Sequence, residues 1–215
     1  MSHAIAVAGA TGLVGRECLR LASRDARVTR VLALVRRYVH PSAQPEKVDY
    51  LRVDFERLAE LELPHPVGAV ICALGTTRRA AGSPEGFRRV DHDYVLALAR
   101  RGLDWGATHF LVVTAVGANP RSRIFYNRVK GELEAAVLAL PYRAVTVARP
   151  SFLLGDRGEH RPGERLGRRL AGLLPPRYRA VAAARVAAAL LDAAGADGSG
   201  HRILDNIALG SPPPL

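Results

Sequence analysis

A doubly wound α/β fold, one parallel sheet with helices on both faces, is the architecture this sequence predicts, and three observations predict it. Nearly continuous apolar runs recur along the chain, as strands buried on both faces require. Segments with apolar residues at helical spacing separate those runs, the alternation that builds a parallel sheet from strand–helix–strand units. The first run, Ala4-Ile5-Ala6-Val7-Ala8, stops at the turn Gly9-Ala10-Thr11-Gly12-Leu13-Val14-Gly15, and the chain restarts as a helix.

That opening is the geometry in which backbone N–H groups and a helix N-terminus hold a pyrophosphate. Gly9 permits the tight turn, Gly12 lets the backbone approach phosphates, and Gly15 lets the helix pack against the strand. Alone the spacing is weak, because the chain has 20 glycines and glycine turns also join ordinary elements. Thr11, Leu13 and Val14 complete the expected loop. Leu13 to Ser23 reads as the first helix, with Val14, Cys18, Leu21 and Ala22 at helical spacing.

Val31 to Val35 is the second strand and ends in Arg36-Arg37. In a dinucleotide fold an acidic residue here would bind the ribose hydroxyls of NAD, whereas guanidinium groups pair with the 2′-phosphate of NADP. Arg36 and Arg37 therefore point to NADP, with plain surface arginines as the alternative. Tyr50 to Phe55 reads as a third strand, its Asp54 and Phe55 forming a wall for the adenine. Val67 to Leu74 is a fourth, ending in Gly75-Thr76-Thr77. That small-residue turn after Leu74 would let the backbone of Gly75 and Thr76 pass close to a cofactor; an ordinary loop is the competing account.

A helix from Pro84 to Arg101 follows, with Phe87, Val90, Tyr94, Val95 and Leu98 inward, and Asp91 and His92 read as solvent or packing residues. Phe110 to Thr114 is the fifth strand. Tyr126-Asn127-Arg128-Val129-Lys130 then opens a helix reaching Leu140. Positions i and i+4 share a helix face, so the phenol and the ammonium reach one pocket. A nearby cation favours phenolate and is expected to lower the Tyr126 pKa, fitting it for acid–base work near neutrality. The alternative is a core tyrosine beside a surface lysine.

Arg143 to Ala148 is the sixth strand, and Pro150-Ser151 turns the chain over the cleft mouth. Asp156 to Gly167 reads as a charged loop, Arg165 to Leu174 as a short amphipathic helix and Val181 to Ala194 as an Ala-rich helix. Gly198 to Gly200 reads as a turn, Arg202 to Leu209 as a last strand and Ser211 to Leu215 as a frayed tail. The expected organisation is a single domain over residues 1–215, with a small C-terminal lobe drawn mainly from 156–215.

Composition narrows the function classes. The net charge is +11, carried by 29 Arg and only 2 Lys. These arginines are scattered, densest between Arg157 and Arg179, and no nucleic-acid motif accompanies them, while aromatics make up only 6%. A basic surface that attracts anionic cofactors and substrates is the reading, without a dedicated nucleic-acid site. No apolar run is long enough to span a bilayer and no signal peptide stands at the N-terminus, so a cytoplasmic protein is expected. Cys18 and Cys72 sit in apolar elements and read as buried free thiols, with no metal site expected.

The stretches Gly9 to Gly15, Leu34-Val35-Arg36, Asp54-Phe55, Cys72 to Thr77, Ala81-Gly82-Ser83, Val90-Asp91, Tyr126 with Lys130-Gly131-Glu132, and Arg149-Pro150-Ser151 occur in this order. Together they resemble the atypical short-chain dehydrogenase/reductases, in the branch of the Tat-interacting-protein oxidoreductases and their small bacterial relatives. The likeness spans Ile5 to Arg161. It implies an NAD(P)-binding Rossmann fold, a pyrophosphate on the glycine loop and an NADP phosphate on the arginine after the second strand. It also implies that Tyr126 donates a proton to a carbonyl and that Lys130 binds the nicotinamide ribose and tunes Tyr126. Pro150 and Ser151 would line the nicotinamide end.

The resemblance further implies a serine or threonine at the end of the fifth strand to orient the substrate carbonyl. Here Val113-Thr114-Ala115 supplies only Thr114. The expectation is an NADP-dependent oxidoreductase acting on a small carbonyl or alcohol, with Tyr126, Lys130 and Thr114 as its candidate catalytic set. The alternatives are an NADP(H)-binding regulator without significant catalysis and, third, an epimerase-like activity with tightly held cofactor. Arg157, Arg161 and Arg165 read as a solvated basic face rather than an anionic-substrate site. The short lobe suggests a shallow pocket, or one completed by a second subunit, in a monomer or homodimer.

Overall fold

The computed structural model describes residues 3–37, 45–155 and 175–210. Seven parallel strands form the main sheet: β1 (His3–Ala8), β2 (Val28–Val35), β3 (Val48–Arg52), β4 (Ala69–Cys72), β5 (His109–Val113), β6 (Ala144–Ala148) and β9 (Gly200–Leu204). Their order is β3-β2-β1-β4-β5-β6-β9. The winding thus reverses between β1 and β4, the place where open α/β sheets leave a crevice beyond their strand ends.

The period-two alternation of side chains divides the core into two layers. Ile5 and Val7 of β1 face one side, where they meet Val14 and Cys18 of α1 (Leu13–Ala22) and Val186 and Leu190 of α6 (Ala183–Gly195). Ala6 and Ala8 face the other. There they meet Val95 and Leu98 of α4 (Tyr94–Asp104) and Leu133 and Val137 of α5 (Phe125–Leu138). Both layers are apolar, so the central strands carry the unbroken hydrophobic runs that make them visible in the sequence.

The helix expected over Pro84 to Arg101 is interrupted. After α2 (Arg78–Ala81), it forms as α3 (Pro84–Arg88), a π-helical turn over Arg89–Asp93, and α4. Ser83 caps its start by accepting from the Gly86 N–H at 3.0 Å. The third strand lies earlier than expected, at Val48–Arg52, because Asp54 caps a 3-10 turn beginning at Phe55.

The last strand also differs from the expectation over Arg202 to Leu209. It ends at Leu204, and Asp205 accepts from the Ile207 and Ala208 N–H groups to start α7 (Asn206–Gly210). Gly200, expected in a turn, opens that strand instead.

A two-stranded parallel pair joins β7 (Leu153–Leu154) to β8 (Val181–Ala182), and Leu153 lines the crevice. The buried Asn206 ties this region together. Its Oδ1 accepts from the Ser151 N–H at 2.6 Å, and its Nδ2 donates to the Pro176 and Arg179 carbonyls at 3.2 and 2.8 Å. The readings made for 156–174 and 211–215, including Arg157, Arg161 and Arg165, lie outside the described residues.

Candidate active site

The glycine loop is built from backbone contacts. Gly9 has φ +77°, and a Cβ there would also stand 2.4 Å from the Ala73 carbonyl oxygen. A Cβ on Gly15 would lie 2.1 Å from the Gly9 carbonyl oxygen, so α1 can close onto the loop only because this residue has no side chain. Gly12 caps α1 with extended backbone and no side-chain partner, and the first turn contains no acidic residue. The positive end of α1 is therefore free of a competing carboxylate, which suits a phosphate group.

A continuous cleft runs past this loop. One arm, about 490 Å³, is lined by Gly9, Thr11, Gly12, Leu34, Arg36, Phe55, Arg89 and Tyr94. Its other arm, about 770 Å³, is lined by Leu13, Val14, Arg16, Asp91, Thr114, Ala115, Tyr126, Lys130, Pro150 and Ser151. Leu74, Gly75 and Thr76 line both arms and join them. The structure thus brings together residues that are scattered over most of the sequence, at the point where the sheet reverses.

Several expected site residues fall elsewhere. Arg36 lines the cleft, but Arg37, next along the strand end where successive side chains point opposite ways, is exposed outside the lining. Phe55 lines the cleft, whereas the Asp54 carboxylate accepts from the Glu56 N–H at 3.0 Å. Gly15 lies beneath the loop as a packing residue. Ser151 does line the cleft, but its hydroxyl donates to the Tyr178 carbonyl at 3.1 Å.

Thr114 is the largest departure. It is buried, and its hydroxyl donates to Glu134 Oε1 at 2.5 Å, with the Ala148 carbonyl at 3.3 Å. A hydroxyl has one proton to give, so this one is committed to the core rather than held out for a substrate carbonyl. The same Glu134 carboxylate pairs with Arg149, through Nε at 3.0 Å and Nη2 at 2.5 Å. Ala115, the next residue on the cleft wall, has no hydroxyl.

Tyr126 and Lys130 both line the cleft, as their spacing predicts, but their electrostatics differ from the expectation. Lys130 is 3% exposed and Asp91 is 1% exposed, and Lys130 Nζ meets Asp91 Oδ1 at 2.8 Å. Burial pulls the ammonium down, but the Asp91 carboxylate, with a lesser contribution from the neighbouring Tyr126, outweighs it and holds Lys130 above its ordinary value. Tyr126 stands above its ordinary value as well, not below. Burial pushes it up, Lys130 pulls it down, and Asp91 pushes it up again. Asp91, read from the sequence as a solvent or packing residue, is instead a buried ionic partner. Its Oδ2 also accepts from the Thr76 N–H at 2.8 Å.

Arg16 and Arg89 were missed as cleft residues. Each lies on a helix face opposite an inward apolar residue, so charge patterning alone gave no reason to separate them from the other arginines. Cys18 and Cys72 are free and buried, and burial raises each thiol to about 12. Among the described residues, no three potential metal ligands converge, and no helix is long and apolar enough to cross a membrane.

This fold is a doubly wound α/β domain of the Rossmann type, with a cleft at the point where its parallel sheet reverses. No protein-family model matches the chain. Curated relatives are more informative. The chain is 37% identical to Protein HTATIP2 of Rattus norvegicus over 97% of this chain and 88% of that protein. It is 35% identical to the mitochondrial protein fmp52 of Emericella nidulans over 79% of this chain and 75% of that one. It belongs to the HTATIP2/FMP52 family. Fungal members carry "mitochondrial" in their names, which is a statement about those proteins.

Solved structures agree on the fold. WbmH of Bordetella bronchiseptica in complex with NAD+ superposes with a TM-score of 0.72 at 12% identity, covering 95% of this chain and 76% of that one. MoeE5 in complex with UDP-glucose and NAD gives 0.69 at 17% identity, covering 93% and 74%.

Proposed function

We propose that the cleft binds NADP(H) and that the protein is an oxidoreductase acting on a small carbonyl or alcohol, with Tyr126 as its acid–base group. The observation that carries this reading is the convergence of Tyr126 and Lys130 on the same cleft as the uncapped α1 N-terminus. NAD-bound structures of the same fold support dinucleotide binding. Gly9, Thr11, Gly12, Leu13 and Val14 would surround the pyrophosphate, and Phe55 and Tyr94 the adenine. Arg36 would bind the 2′-phosphate, with Arg89 on the same arm of the cleft. Lys130, Pro150 and Ser151 would face the nicotinamide end.

A bound reduced dinucleotide supplies a hydride. The chain's own part is to hold a carbonyl beside Tyr126 and give its oxygen a proton. Because the Thr114 hydroxyl is engaged by Glu134 and Ala115 offers none, Tyr126 would orient the carbonyl without a hydroxyl from the end of β5. That observation also favours the second reading, an NADP(H)-binding regulator with little turnover.

The test titrates NADPH and NADH by cofactor fluorescence and then screens carbonyls and alcohols with wild type and Tyr126→Phe. Tighter NADPH binding and turnover lost in the variant are expected. Tighter NADH binding removes the role given to Arg36, and undiminished turnover in Tyr126→Phe removes Tyr126 as the acid. Tight NADPH binding with no turnover across the panel selects the regulator. The cytoplasmic placement expected from the sequence is part of this proposal and is read by fractionation and imaging of the tagged chain.

A further inference from the structure

We propose that Asp91 is a positioning residue of this site: it holds Lys130 against the loop after β4 and offsets its charge at Tyr126, so that the phenol keeps its proton. The inference deepens the oxidoreductase reading and rests on it for the destination of that proton.

Three independent features of the structure meet at Asp91. It lies in the middle of the π-helical turn Arg89–Asp93. Such turns insert one extra residue into an otherwise regular helix and recur at functional sites. The carboxylate is buried, and both of its oxygens are used. Oδ1 meets Lys130 Nζ at 2.8 Å, and Oδ2 accepts from the Thr76 N–H at 2.8 Å. It therefore links the lysine on α5 to the loop that forms the floor between the two arms of the cleft.

The charge balance follows from who faces whom. Lys130 and Tyr126 come from α5, Asp91 from the π-turn, and the Cys72 thiol from β4, while Arg16 and Arg78 line the same arm of the cleft. Were Lys130 the nearest charge without a counterion, it would draw Tyr126 toward phenolate. With Asp91 in contact, the pair is neutral overall, and burial holds Tyr126 as the phenol. The site is then set to deliver a proton. In a reduction the carbonyl carbon takes the hydride of a reduced dinucleotide and the oxygen takes the Tyr126 proton. Its O–H bond breaks, and the phenolate is reprotonated by water.

The test follows tyrosinate absorbance against pH in wild type and Asp91→Asn. Each is repeated in a Tyr126→Phe background to isolate one tyrosine among 6. Loss of the counter-charge is expected to move Tyr126 ionisation down by about 1 pH unit or more. An unchanged ionisation overturns the proposal.

An unpaired buried lysine endangers folding, so Asp91→Asn/Lys130→Gln, which removes both charges, is titrated alongside. There Tyr126 is expected within about half a pH unit of wild type, and a displacement beyond about 1 unit overturns the charge balance. A merely structural Asp91 would move neither curve.

These titrations need no cofactor or substrate. Wild type that binds NADPH yet reduces no carbonyl refutes the reductase reading while the Asp91 shift stands. Turnover with no Asp91 shift refutes this inference alone.

Discussion

Thr114→Val separates a structural hydroxyl from a substrate-orienting one. The change keeps the β-branched shape and removes only the group that donates to Glu134 at 2.5 Å. A hydrogen bond to a charged acceptor contributes about 1.5–3 kcal/mol. Glu134 keeps its Arg149 partner, with Nε at 3.0 Å from the same oxygen, so its carboxylate is not orphaned. The cost should therefore fall near the lower end, about 1.5–2 kcal/mol. For a domain of this size that corresponds to a Tm lower by roughly 3–8 °C. Denaturant unfolding gives the free energy, and cofactor fluorescence and turnover are measured on the folded protein. NADPH affinity within about twofold of wild type and a rate per folded molecule within about threefold are expected, since both changes lie under about 1 kcal/mol. Stability within about 0.5 kcal/mol of wild type together with a hundredfold loss of kcat/KM would refute the reasoning. In that case the hydroxyl touches substrate.

Gly15→Ala places a Cβ 2.1 Å from the Gly9 carbonyl oxygen, which is backbone and cannot turn aside. Overpacking of about 1–3 kcal/mol is expected, together with NADPH affinity weakened at least tenfold as the loop is displaced; calorimetry and fluorescence titration read the two, and an undisturbed loop shows as no change in either. Arg36→Ala should weaken NADPH binding by about ten- to a hundredfold, the worth of a lost charge-assisted contact, and leave NADH within about twofold. Equal losses for both cofactors would place the 2′-phosphate away from Arg36.

His109 is buried against Thr146, 2.9 Å from its hydroxyl, and burial and His3 lower its pKa from 6.5 to about 4. The folded state thus resists a proton that the unfolded chain accepts. The stability of the neutral form is complete above pH 6.5 and declines as the pH falls from there to about 4. The full loss is about 3 kcal/mol, and His109→Gln should flatten that slope in unfolding curves collected across the window.

The elements most legible in the sequence are those buried on both faces. β4 is wholly apolar, and the buried runs of β1, β2, β5 and β6 carry at most one polar residue each, so they stand out in the sequence. β3 and β9 lie at the two sheet edges, and their Asp49, His201 and Arg202 break the apolar signal. Their bounds are harder to read from the sequence for that reason. Asp205 before α7 is a cap signal, but the residues that follow it are equally compatible with a strand. The glycine loop and the Tyr126–Lys130 spacing were legible because each is a short local pattern. Their electrostatics were not, because Asp91 and Arg149 approach from other elements.

The physical clue to those partners was nonetheless present on α5. Tyr126, Lys130 and Glu134 fall at i, i+4 and i+8, so they share one face of the helix. Val129, Leu133 and Val137, beside that face, are buried in the core. A lysine and a glutamate drawn into such surroundings each require a counter-charge or hydrogen-bond donors. Here Lys130 takes Asp91, and Glu134 takes Arg149 and Thr114. One stripe therefore performs two tasks. Its outer half faces the cleft with a phenol and a cation paired to Asp91. Its inner half uses the hydroxyl expected for the substrate to secure β5 and β6. The same helix face that brings Tyr126 and Lys130 to the cleft also explains why the end of β5 offers no free hydroxyl.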